Sequence, residues 1–240
     1  MSRFLTILAS VLLLIPSLRA EEKTDRLLRD LFAQEDPPSA TKQIDALLAA
    51  CDNDPQKVRA LIASDTAYES FKPGVLKRKT TVFDARDKKT HEFEFFVRVP
   101  KGYDPGRAWP VLLASHGTNG NGMSILKAFV RLLGRDVEKY IIVAPSLPGI
   151  HKYSGRPYQE QTFLKPLLWT CRNLNVDDDR VYVSGYSLGG STSWHLVTMF
   201  PRHLAGAVPM AGVPFFEGGL ATMSAYLENL SNIPVWAIWG

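Results

Sequence analysis

The chain has 240 residues, 45% of them apolar, with two cysteines and a formal net charge of +4. That length and apolar fraction supply the core of one domain plus an appendage. The 28 basic residues are scattered, Lys77-Arg78-Lys79 being the one tight cluster, and no basic stripe is interleaved with aromatics, so no nucleic-acid partner is expected.

In chain order, Arg3 precedes the apolar run Phe4 to Ile15, and Pro16-Ser-Leu-Arg-Ala20 follows before Glu21-Glu22. Residues 1–20 read as a signal peptide, because the run is short for a bilayer and ends at a small residue and a change of charge. The competing reading is an uncleaved N-terminal anchor. With the peptide removed no membrane span is expected, and the protein is expected to be secreted or periplasmic. Residues 21–74 read as a helical extension. Leu27-Leu28 with Leu31-Phe32, Ile44 with Leu47-Leu48, and Val58 with Leu61-Ile62 recur at helical spacing, broken by Pro37-Pro38 and Asp54-Pro55. Lys72-Pro-Gly74 is its exit hinge.

Residues 75–240 change period. Leu76 to Phe83 and His91 to Val99 predict a hairpin around Asp84-Ala-Arg-Asp-Lys-Lys. Strand and helix then alternate: strand Val111 to Ser115, helix Met123 to Leu133, strand Tyr140 to Ala144, helix Gln159 to Asn173, and a short strand Val181-Tyr-Val183 after Asp177-Asp-Asp-Arg180. A helix from Ser191 stops at Phe200-Pro201; strand Ala205 to Met210, helix Ala221 to Leu230 and strand Pro234 to Trp239 complete the series. Such alternation specifies an α/β class with a mostly parallel sheet and helices on both faces.

The junction after Val183 carries chemistry. Gly185-Tyr-Ser187-Leu-Gly189 between strand and helix has the form of a nucleophile elbow. A serine on so sharp a turn needs neighbours without side chains, and the turn aims the first free N–H groups of the next helix at whatever Ser187 attacks. In an open sheet of this kind the site lies beyond the carboxyl ends of the strands. The loop there after Ser115 reads His116-Gly-Thr-Asn-Gly-Asn-Gly122, glycine-rich enough to turn backbone N–H groups towards an oxyanion. It is not a nucleotide loop, since Gly117, Gly120 and Gly122 miss the dinucleotide spacing and no Gly-Lys-Ser/Thr ends it. No His or Cys pair has ligand spacing, so neither metal nor other cofactor is expected.

His116-Gly117 after the third strand, Asp179-Arg180 before the fifth and Gly185-Tyr-Ser-Leu-Gly-Gly190 resemble the α/β-hydrolase superfamily. The likeness, over about Thr80 to Trp239, is to its secreted esterase branch: feruloyl esterases, polyhydroxybutyrate depolymerases and dienelactone hydrolases. The resemblance implies a serine ester hydrolase working through an acyl-enzyme on a small or polymer-linked ester. Ser187 would be the nucleophile, and the Leu188 and Thr118 amides the oxyanion donors.

In that family the acid follows the seventh strand and the histidine the eighth. Pro234 to Trp239 counts as the seventh, so the expectation is an incomplete hydrolase domain over 75–240. It would lack the eighth strand, and its acid and histidine would follow residue 240. A serine without its base is a weak nucleophile, so these residues alone are expected to be nearly inactive. His91, His195 and His203 read as surface or packing residues, and His116 as a residue whose backbone matters more than its ring. His151, after the fourth strand, is a candidate for substrate contact. Cys171 reads as a buried free thiol. The alternatives are a non-catalytic secreted module that kept the fold and a peptidase of the prolyl-oligopeptidase type, for which the N-terminal part is too short to form a propeller.

Overall fold

The computed structural model describes residues 37–64, 68, 70–147, 157–214 and 226–239. The chain divides into two units, Met1–Ala67 and Tyr68–Gly240. In the first, the described residues form helices α1 (Pro37–Ala50) and α2 (Pro55–Ser64), each begun by a proline. Proline suits a first turn, where its missing N–H would have had no partner within the helix. The signal-peptide reading and the Leu27–Phe32 stretch lie outside the described residues.

The second unit begins with the expected hairpin, which starts two residues earlier, reaches further into its turn and ends at Val99 as expected: β1 (Gly74–Asp84) pairs antiparallel with β2 (Lys89–Val99). In its turn the Arg86 N–H donates to Asp84 Oδ1, and Lys88 takes φ 52°. There follow β3 (Trp109–Ser115), α3 (Gly122–Leu133), β4 (Ile141–Pro145), α4 (Pro157–Asn173), β5 (Val176–Tyr186), α5 (Leu188–Met199) and β6 (Gly206–Met210). The strands order as β1-β2-β4-β3-β5-β6. Every neighbour from β4 to β6 is parallel, while β2 meets β4 antiparallel.

Alternation along the strands sends side chains to two cores. Val111 and Leu113 of β3 pack with Phe163 and Leu167 of α4 and with Leu196 and Val197 of α5. Leu112 and Ala114 face the other way, onto Ile125, Leu126 and Phe129 of α3. Each fully buried side chain of this size stabilises the fold by about 1.5–3 kcal/mol. Helices therefore cover both faces, as the α/β pattern requires.

Three expectations need correction. The strand expected to start after Asp177-Asp-Asp-Arg180 starts before it, at Val176. Trp109 pairs with Val176 and Val111 with Val181, so the acidic stretch bulges out of the ladder. Asp177 makes the bulge tolerable by accepting from the Asp179 N–H at 3.1 Å and from Arg180 Nε at 2.6 Å. The helix expected over Ala221 to Leu230 falls partly outside the described residues; its end, Leu227–Leu230, is a 3-10 turn. Pro234 to Trp239 runs parallel beside β6, but as two isolated bridges, Ala207 to Val235 and Met210 to Ile238. The ladder bonds on either side exist, Trp236 N–H to Ala207 O and Ile238 N–H to Pro209 O. The one missing between them belongs to Pro209, which has no N–H to donate.

Candidate functional site

The ends of β3, β5 and β6 meet at Ser187. The residue sits between β5 and α5 with φ 56° and ψ −118°, outside the regions that non-glycine residues ordinarily occupy. What holds it there is close backbone packing. A Cβ on Gly185 would stand 2.5 Å from both the Gly189 and Ser115 carbonyl oxygens, so no other residue fits. The Ser187 amide donates to Met210 O at 2.9 Å, and Ser187 O accepts from the Ser191 N–H at 3.0 Å, the first bond of α5. Ser187 is half-buried, and its hydroxyl has no hydrogen-bond partner among the described residues.

Leu188 is the first residue of α5, in the turn whose N–H groups have no acceptor inside the helix. Thr118 lies exposed in a tight turn closed by the Gly120 N–H donating to Gly117 O at 3.0 Å. Gly117 lies against the elbow: a Cβ there would be 3.6 Å from Ser187 Cβ and 3.1 Å from Tyr186 O. The fold thus brings the 116–122 loop and the elbow together. His151 lies outside the described residues.

The histidines separate by environment. His116 is buried, and its ring is fully used. Its Nε2 accepts from the Leu147 N–H at 3.0 Å, so the proton of the neutral ring sits on Nδ1, 2.8 Å from Gly117 O. Burial holds its pKa below the usual 6.5, although the Gly117 carbonyl pulls it upward. The ring therefore bonds within the loop as well, beside the backbone that the sequence reading put first. His195 is buried within α5, with Nε2 2.8 Å from Glu160 Oε1 on α4. His91 stacks on Tyr158 with ring centroids 5.1 Å apart, and His203 is exposed beyond α5. Among the described residues no histidine hydrogen-bonds Ser187.

Two contributors were missed in the sequence. Ser146, just past β4, accepts the Gly122 N–H on its hydroxyl at 2.9 Å, while its own amide donates to Glu94 O at 2.8 Å. Asn121 caps α3 by exchanging hydrogen bonds with Ser124, each 2.9 Å long. Asn-x-x-Ser before an apolar helix was the signal for the cap, whereas nothing in the spacing points to Ser146. No group of three or more His, Cys, Asp or Glu side chains among the described residues could hold a metal ion.

The chain is similar in structure to a thermostable esterase, at 21% identity and TM-score 0.52, over 67% of this chain and 45% of that one. It is similar also to FphF, a fluorophosphonate-binding serine hydrolase of Staphylococcus aureus, at 12% identity and TM-score 0.50, over 70% of this chain and 80% of that one. The chain has the α/β-hydrolase fold. It spans less than half the length of the thermostable esterase. No protein-family model matches the sequence, and no curated protein matches it. Within the α/β-hydrolase fold, Ser187 occupies the strand-to-helix turn at the carboxyl end of β5, and the 116–122 loop follows β3 beside it.

Proposed function

We propose that this chain carries the nucleophile and oxyanion side of a serine ester hydrolase. The observation that carries the reading is the conformation of Ser187, held at φ 56° with a hydroxyl that no described residue engages. A strained serine at the mouth of a parallel sheet, beside a helix N-terminus, is arranged for attack and not for packing.

Ser187 Oγ adds to the ester carbonyl carbon as its proton passes to a base supplied from outside the described residues. The carbonyl oxygen becomes an oxyanion within reach of the Leu188 and Thr118 N–H groups. Collapse expels the alcohol, which takes up the proton, and leaves an acyl group on Oγ. Water then releases the acid. The Ser187 amide is not a donor in this scheme, because Met210 O already holds it. The substrate class is a carboxylic ester, small or linked to a polymer.

The test is acylation by p-nitrophenyl acetate, followed by the released nitrophenolate. Because no described residue supplies the base, the reading predicts a slow release of nitrophenolate that stops at one per chain and that Ser187→Ala abolishes. Release unchanged in the variant, or none on prolonged exposure, contradicts it and favours a module that keeps the fold without the chemistry.

A further inference from the structure

The Gly117 carbonyl oxygen is held twice. It takes the Gly120 N–H at 3.0 Å, which closes the Thr118-Asn119 turn, and the His116 Nδ1–H at 2.8 Å. The second bond exists because the other face of the ring is committed: the Leu147 N–H points at Nε2 from the end of β4, 3.0 Å away and 31 residues along the chain. A backbone N–H can only donate, so it forces the Nδ1–H tautomer. His116 is 3% exposed. Gly120 presses on it too: a Cβ there would stand 3.1 Å from His116 Cβ and 3.3 Å from Nδ1.

The consequence lies in a single peptide unit. Gly117 C=O and Thr118 N–H belong to the same planar trans peptide and therefore point in opposite directions. Whatever clamps the carbonyl also aims the amide. With the oxygen drawn to the His116 ring and to Gly120, the Thr118 N–H is turned away from both. Gly117 itself lies against Ser187.

We infer that His116 is a positioning residue for the oxyanion site: its ring, set by Leu147, holds the Gly117–Thr118 peptide so that the Thr118 amide faces the carbonyl oxygen of the ester that Ser187 attacks. This rests on the ester-hydrolase reading. His116 touches no substrate and gives up no proton in the reaction.

The experiment follows phosphonylation of the full chain by a fluorophosphonate, in which the Ser187 Oγ–P bond forms as fluoride leaves and the hydroxyl proton is released. Loss of one oxyanion donor lowers an acyl-transfer rate on the order of a hundredfold or more. His116→Ala is expected to lower the limiting labelling rate on the order of a hundredfold, with the half-saturating reagent concentration changed less than about threefold. His116→Asn places an amide N–H where Nδ1–H was and is expected to recover about tenfold. Wild-type rates in His116→Ala, or no recovery in a folded His116→Asn, overturn the inference. Should His116→Ala fail to fold, the ¹⁵N spectrum of the wild-type imidazole decides: a proton on Nδ1 with a bare Nε2 supports the inference, and the reverse tautomer overturns it. If the wild type does not label, the hydrolase reading falls by itself. Amide exchange at Gly120 and Leu147 then tests the clamp, rising at least about tenfold in His116→Ala if the ring holds the loop and staying unchanged if it does not.

Discussion

The amide of Ser187 donates to the carbonyl of Met210 at 2.9 Å. This bond ties the elbow to the end of β6 and leaves Leu188 as the first amide of α5 free to face a substrate. The tie depends on the backbones being close: a Cβ on Gly190 would stand 2.4 Å from the same Met210 oxygen, and Gly185 sets the matching approach of the elbow to β3. Gly185→Ala would place a carbon 2.5 Å from two carbonyl oxygens, that of Ser115, its partner in the β3–β5 register, and that of Gly189 in the first turn of α5. Overpacking of this kind costs about 1–3 kcal/mol. Urea unfolding of the variant should show a loss of that size, and an unchanged midpoint would mean that the elbow has slack.

His116 gives the fold a pH dependence. Burial lowers its pKa in the folded state below the unfolded value of 6.5, so unfolding takes up a proton as the solution is acidified. Its contribution is complete above about pH 6.5 and is lost as pH falls through the lowered value. His116→Gln cannot titrate. Between pH 7.5 and pH 5 the wild type should lose more unfolding free energy than this variant, and equal losses would show that the ring is not held neutral.

Arg98 and Glu138 join β2 to the turn that follows α3, at 2.6 Å, and the Lys101 N–H adds a second bond to Glu138 at 2.7 Å. Burial works against the charge on Glu138, yet the Lys101 amide and the Arg98 guanidinium together hold its pKa below the usual 4.5. The stabilisation is therefore present above about pH 4.5 and lost as pH falls below it. Glu138→Gln should cost about 1–2 kcal/mol at pH 7 and much less at pH 3, as measured by thermal unfolding at both. A cost independent of pH would assign the effect to packing.

Cys171 is a free thiol whose pKa burial pushes up to about 12. Little thiolate exists at pH 8, so iodoacetamide should leave Cys171 unmodified in the native protein and modify it once urea is added. Rapid native modification, mapped by peptide mass, would place that helix face in solvent.

How far the letters carried can be read from single residues. The elbow was legible because Gly185, Ser187 and Gly189 answer to one steric demand, and the hairpin because Leu76 to Val99 alternates around a polar turn. Beyond that, pairings between distant residues were decisive and left no local mark. Nothing about His116 says that Leu147 will donate to its ring, and nothing about His195 says that Glu160 will face it. The acidic run after Val176 looked like a boundary because aspartates disfavour strands, but Asp177 satisfies the bulge from within. Pro209 interrupts the bonding of its neighbour and not of its own strand, an effect visible only when the partner is known.

The central claim is that Ser187 is the nucleophile. Its most direct test is the intact mass of the protein after exposure to a fluorophosphonate, with the modified peptide then sequenced. The account predicts one adduct, on Ser187, absent from Ser187→Ala. An unmodified mass, or an adduct that survives in Ser187→Ala, would contradict it.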